Sequence, residues 1–178
     1  MGFSLFRQLT RLVNGAHQEA IPFVVREIEN PDAKAAELFH AAFGASIPTF
    51  PRHFTAMLRR NGSERIAAYV NLRAFDEGVF LCGGLCVDPR VYRLISEEER
   101  SRVAAEGSLS RWLSKTAIAS LGRKRAVFAY SGDTRSRRDA AALGFVATGS
   151  PHLLVQWHHE PQESRHALVR RVEAMGAF

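Results

Sequence analysis

Residues 79–112 read VFLCGGLCVDPRVYRLISEEERSRVAAEGSLSRW. The stretch opens as an apolar strand, Val79–Val87, passes through Asp88-Pro89, and reaches the small-residue turn Ala104-Ala105-Glu106-Gly107-Ser108 at the head of a helical pattern. A strand that runs into a Gly-containing turn at a helix start is a ready anion site. The first N–H groups of a helix have no internal partner, and the macrodipole adds positive potential there. Small residues let an anion reach the backbone. The rest of the chain reads as a sheet built around this unit.

Composition bounds what that unit can belong to. The 178 residues, 46% of them hydrophobic, suffice for one packed domain spanning 1–178. The cysteines, Cys82 and Cys86, sit four apart in the strand and are expected on one face, too far apart for a local disulfide. They lack the partners of a zinc site, so no metal is expected, and reduced buried thiols fit a cytoplasmic protein. The net charge of +6 admits an anionic partner, nucleic acid or a phosphorylated cofactor. The basic residues are spread among acidic ones, however, and a solvated surface accounts for them before polynucleotide binding does. The segment GFSLFRQLTRLV at 2–13 is apolar at helical spacing, without the continuous apolar core or cleavage site of a signal peptide. Packing on the domain or on a partner is the expectation, and no run approaches membrane-spanning length.

Going outward from the central stretch, Pro22–Ile28 reads as a first strand, followed by a helix capped by Asn30 or Asp32 and stopped at Gly44. Ile47–Pro51 holds two prolines and reads as loop. His53–Arg60 and Arg65–Arg73 flank Asn61-Gly62, a strong hairpin dipeptide. Gly83-Gly84 within the central strand marks a bulge, a close approach, or a kink for curvature. Ser96–Leu121 is helical in pattern, Arg125–Ser131 is a strand, and Asp133 caps a helix ended by Gly144. Phe145–Ala147 and Pro151–His158 complete the sheet, and Gln162–Met175 is an amphipathic helix. The order is that of one α/β or α+β domain.

On this order the chain resembles the GNAT superfamily of acyl-CoA N-acyltransferases, as a divergent member, over roughly Phe23 to His158. In that family a Q/R-x-x-G-x-G/A turn after the fourth strand wraps the coenzyme A pyrophosphate, and Arg102-Val103-Ala104-Ala105-Glu106-Gly107 is similar to it as R-x-x-A-x-G. A second block, N-x-x-A-x-x-x-Y-x-x-x-G-F, resembles Asp133–Ser136 through Ala140 to Gly144-Phe145. The resemblance implies a mixed sheet of about six to seven strands flanked by helices, to which the apolar spacing adds helical extensions at 1–20 and 162–178. It implies an acetyl-CoA or other acyl-CoA site at Arg102, Ala105, Glu106, Gly107 and Ser108, with Leu85, Cys86 and Val87 holding the pantetheine arm and Asp133 and Ser136 nearby. It also implies a small-molecule or peptide amine as acceptor.

The departures are specific. Ala105 stands for the first motif glycine, Asp133 for the frequent Asn, and Ala140 for the Tyr that protonates the departing thiolate; Arg90–Ser101 is additional. Of the catalytic roles, the carbonyl-polarising strand N–H falls near Val87, and Tyr130 at the end of the next strand is the substitute acid. Cys86 lacks a His–Asp arrangement to activate it. His158-His159 point to opposite faces of a strand, and His152, on that strand, is a candidate to line the acceptor cleft. The Arg135–Arg138 cluster reads as a solvated helix face. The sequence therefore supports an N-acetyltransferase acting by direct transfer, or a non-catalytic GNAT-like binding or protein-interaction module. The terminal helical segments, Phe3–Val13 and Ala167–Met175, either extend the core or form a homodimer interface.

Overall fold

The computed structural model describes residues 11–12, 21–49 and 52–178. Among these, the strands are β1 (Arg11–Leu12), β2 (Phe23–Ile28), β3 (His53–Arg60), β4 (Ser63–Asp76), β5 (Val79–Val87), β6 (Ala126–Tyr130), β7 (Val146–Ala147) and β8 (Leu153–Trp157). The helices are α1 (Ala33–Phe43), α2 (Glu97–Ala105), α3 (Leu109–Ala119), α4 (Thr134–Ala142) and α5 (Gln162–Glu173). The strands form one mixed sheet in the order β1-β2-β3-β4-β5-β6-β8-β7.

The hairpin reading of Asn61-Gly62 holds. Their φ values are 49° and 75°, both positive as a two-residue type I′ turn requires, and β3 and β4 pair directly across them. β2 to β5 form an antiparallel meander. β5 then pairs in parallel with β6, through Val79–Cys82 against Ala126–Ala129. A parallel pair needs a crossover, which α2 and α3 supply.

Two apolar layers cover the sheet. On one face Leu109, Trp112, Leu113 and Ala117 of α3 meet Phe54, Ala56, Val70 and Leu72, with Phe145 after α4 in the same cluster. Leu168 and Val172 of α5 pack on Val79, Leu81 and Phe128, while Ala35 and Phe39 of α1 pack on Tyr69 and Met57. Sheet alternation puts Phe80 and Cys82 with α3 but Val79 and Leu81 with α5. Among the described residues no helix is long and apolar enough to cross a membrane.

Four sequence expectations are corrected. The helical pattern at 96–121 is two helices, because Gly107 takes φ 93° and breaks the run; α2 opens with a Ser96/Glu99 capping box and α3 is capped afresh by Ser108. Cys82 and Cys86 lie under different layers, with α3 and α1 respectively, because a bulge between them inserts a residue and inverts the alternation. His152 precedes β8 rather than lying in it, in a turn with φ 69°. Arg11 and Leu12 pair as a strand with Glu27 and Arg26, not as helix; the rest of the helical segment expected at 1–20 lies outside the described residues.

An ion pair ties the start of β6 to the residues that follow β8. Glu160, its side chain fully buried, accepts from Arg125 Nε at 2.6 Å and Nη2 at 3.0 Å, and Arg125 Nη1 reaches Glu77 O. The Arg125 guanidinium holds the Glu160 carboxyl below its ordinary value, against the opposing effect of burial. A depressed folded-state value means the stabilisation is complete above the unfolded value of about 4.5 and is lost as pH falls through the folded one. Breaking a buried pair costs about 3–5 kcal/mol, less here because Arg125 is a third exposed. Glu160→Gln is expected to lose about 2 kcal/mol in urea melts at pH 7, with the gap to wild type narrowing as the pH is taken down through the folded-state value, below about 4.5. A loss that does not change with pH would refute the electrostatic origin.

Candidate functional site

The site begins at the bulge. Asn71 stands opposite Gly83 and Tyr69 opposite Cys86, so β5 carries one residue more than β4 over this interval. Gly84 absorbs it at φ 62°, and a Cβ there would fall 2.5 Å from Asn71 Nδ2 and 2.7 Å from Phe39 Cε2. A glycine is therefore required by both dihedral and space. Beneath the bulge lies a buried polar group: Tyr69 bonds His53 Nδ1 at 2.7 Å. Burial raises the Tyr69 pKa far above that of an ordinary phenol, with a hydrogen bond to Asn71 in opposition; it stays neutral.

At the same level β5 and β6 part. Their pairing ends at Cys82 and Ala129, and a cavity of about 400 Å³ opens between them, lined by Gly83, Leu85, Ala129 and Tyr130 from the strands and by Ser114, Asp139 and Ala140 from α3 and α4. Ser114 is buried, and its Oγ is the one buried side-chain polar atom without a hydrogen-bond partner among the described residues. Such an orphan costs about 1–3 kcal/mol and calls for an explanation.

The N-terminus of α3 closes one end. Ser108 Oγ accepts from Arg111 N at 2.9 Å and donates to Asp139 Oδ2 at 2.6 Å; Ser110 Oγ donates to the same oxygen at 2.9 Å. The buried Asp139 carboxylate thus faces the positive end of the helix through two hydroxyls. Arg111 folds back, its Nε donating to Glu106 O at 2.5 Å, and its guanidinium lies where a Cβ on Gly107 would be, 1.9 Å from Cζ.

A mixed sheet flanked by helices is what the sequence resemblance implied; the structure adds a bulge in β5 and a gap where β5 and β6 part. No family model and no curated protein matches it. Among solved structures it is similar to Escherichia coli ElaA (14% identity, 75% of this chain and 97% of that one, TM-score 0.47). It is also similar to an acetyltransferase of the GNAT family from Staphylococcus aureus (12%, 75% and 98%, 0.46) and to an acetyltransferase from Streptococcus agalactiae (11%, 75% and 96%, 0.45).

Within this frame the sequence candidates fall into two groups. Leu85, Tyr130, Asp133 and Ser136 line the cavity. Tyr130 is 40% exposed, its ring 5.8 Å from that of His152 and 6.2 Å from that of Phe178. Asp133 caps α4, and hydrogen bonds from Ser136 hold its carboxyl below the usual range. The other group lies away from the cavity lining. Arg102 pairs with Glu98 along α2, and Glu106 with Lys115. Ala105 and Glu106 border a separate groove beside Lys115, Lys124 and His158. Gly107 lies under Arg111, and Ser108 is engaged by Asp139. Val87 pairs with Ala68 beyond the lining stretch, and Cys86 faces α1. Burial pushes both thiols up to about 12, so neither is a nucleophile at neutral pH.

Asp88 likewise has a structural role. It caps the 3-10 turn Pro89–Arg93 and pairs with Arg65 and Arg90. Burial pushes its pKa up, but those two arginines and the Arg90 N–H more than compensate, so it is held ionised. Sequence reasoning did not single out Asp139, Ser114 or Arg111. Their helical spacing is visible, but their meeting across α3 and α4 is not.

Proposed function

We propose that the chain is an acyl-CoA-dependent N-acyltransferase, transferring an acyl group, acetyl in the simplest case, directly to a primary amine. The observation that carries this reading is the mainly apolar cavity opened by the β5–β6 splay, whose lining includes Ser114 with its unpartnered hydroxyl. A slender, amide-bearing arm such as pantetheine supplies an acceptor for that hydroxyl and apolar length for the rest. The glycines of β5 let such an arm approach the backbone.

In the reaction the amine nitrogen attacks the thioester carbonyl carbon, the C–S bond breaks, and the amine proton passes to water. Backbone N–H groups of β5 serve the developing oxyanion. The Gly84–Leu85 stretch reaches the cavity, whereas Val87, two residues on and paired with Ala68, is not on its lining. In this reading Tyr130, at the cavity lip, protonates the leaving thiolate in the role vacated at Ala140.

The test is calorimetric titration with acetyl-CoA and free CoA, run on wild type and Ser114→Ala. Wild type is expected to bind in the micromolar range, about −8 kcal/mol. Ser114→Ala should bind several-fold more weakly while melting higher, since an unsatisfied buried hydroxyl has been removed. A melting gain with unchanged affinity would remove Ser114 from the site, and no binding by wild type would sink the reading.

A second reading has its own support. Because Asp139 and Arg111 already serve the α3 N-terminus and Ala140 replaces the family acid, a GNAT-like module that binds without turnover fits the same geometry. Release of free thiol above the uncatalysed rate with any member of an amine panel would exclude it.

A further inference from the structure

We infer that Phe178 is a specificity-determining residue: with Phe43 and Tyr130 it forms an aromatic wall that selects a primary amine carried on an aromatic ring. This rests on the acyl-CoA reading and gives its acceptor a chemical class.

The cavity is lined from both layers that cover the sheet, α3 and α4 on one face, α1 and the segment after α5 on the other. On the second face the bulge sets two glycines in succession. A Cβ on Gly83 would lie 3.0 Å from Phe178 O, and one on Gly84 2.7 Å from Phe39 Cε2. Gly83 thus admits the backbone of residue 178 to β5, just past Cys82, where the pairing with β6 ends. Gly176, at φ 75°, turns the chain after α5, and Ala177 and Phe178 then line the cavity. The Phe178 ring is anchored among Val79, Leu81 and Leu168, so the wall it makes is fixed to the fold.

The chemistry of the two faces differs. Ser114, Ser136 and Asp139 line the cavity from α3 and α4, whereas α1 and the segment after α5 contribute only Phe43, Ala177 and Phe178. Of the large apolar side chains exposed among the described residues, Phe43 and Tyr130 both belong to this one lining. Exposed apolar groups gathered at a concavity mark a ligand site. The rings of Tyr130 and Phe178 stand edge to face, their centroids 6.2 Å apart and their planes at 67°, the arrangement aromatic pairs favour. A ligand ring entering beside them extends that arrangement. A polyamine or a peptide backbone would find no polar side chain on this wall, and burying its polar groups there would cost free energy.

The experiment follows thiol release from acetyl-CoA with 2-phenylethylamine and with n-butylamine, and compares the two kcat/KM values in wild type, Phe178→Ala, Phe178→Leu and Phe178→Tyr. Wild type is expected to favour the aryl amine by at least about tenfold. Phe178→Ala should cut that ratio roughly five- to tenfold, the loss of a ring–ring contact. Phe178→Tyr keeps the ring and should restore the ratio. Phe178→Leu keeps apolar bulk without a ring and should fall between; it also serves if the alanine variant does not fold. A ratio near one in wild type, or one that the variants leave unchanged, overturns the aromatic wall while the acyl-CoA reading stands. A rise with both amines in Phe178→Ala also overturns it, since Phe178 would then be a plug. If neither amine releases thiol, or acetyl-CoA does not bind, saturation-transfer NMR of 2-phenylethylamine on the protein decides the wall alone. Contact that weakens in Phe178→Ala upholds it, and no contact overturns it.

Discussion

Gly84→Val is expected to destabilise the protein by about 3–5 kcal/mol, enough to unfold much of it. Two independent penalties add. Holding a β-branched residue at a φ of 62° costs about 1–3 kcal/mol. A side chain must also be driven into Asn71 and Phe39, atoms 2.5 and 2.7 Å from the new Cβ, and overpacking of this kind adds about 1–3 kcal/mol. Gly122→Ala, where a Cβ meets nothing within 4 Å, is the control and should stay within about 0.5 kcal/mol. Urea denaturation of the two variants beside wild type decides the matter. A Gly84→Val protein within about 1 kcal/mol of wild type would mean that β5 can run without its bulge, and the account of how the site opens would fall with it.

The second large effect concerns the cavity itself. Ala129 is the last β6 residue paired with β5, opposite Cys82, and its side chain lines the cavity. In Ala129→Phe the new ring occupies the slot where β5 and β6 separate. Acetyl-CoA affinity should fall by more than about 100-fold, the equivalent of losing roughly 3 kcal/mol of binding. The fold should survive, because the ring enters existing space. Calorimetry paired with a thermal melt reads both. Retained affinity with a normal melt would place the ligand elsewhere, and the groove beside Lys115 and Lys124 would then be the site to examine.

The parts of this molecule that the sequence discloses are those decided by neighbours. Asn61-Gly62 can only be a tight turn, so the β3–β4 hairpin is legible. Asp133 followed by Ser136 reads as a cap, and it is one. Gly83-Gly84 announces an irregular strand, although not its sense. The bulge settles the face on which every later residue of β5 lies, and for that reason Cys86 left the face of Cys82. Gly107 is legible as a turn, but the long run of helix formers around it hides that its φ of 93° splits the run into two helices.

What stays hidden is set by partners distant in sequence. Ser108 and Asp139 are 31 residues apart and Arg125 and Glu160 are 35 apart, and neither pairing leaves a periodic trace. The motif resemblance points to the turn before α3, but motif spacing cannot show that a neighbouring helix supplies a carboxylate to it. Nor can it show that an arginine one turn later lies across the glycine.

The single parallel seam in the sheet bears on how the protein is made. β2 to β5 are joined by connections that bring sequence neighbours together, apart from the α1 excursion, so much of the meander can zip from its hairpins outward. The β5–β6 pairing must wait until α2 and α3 have crossed over, and loop-closure entropy makes such non-local contacts slow. On contact-order grounds this seam closes late. The slot between its strands then takes its shape after the scaffold around it has formed.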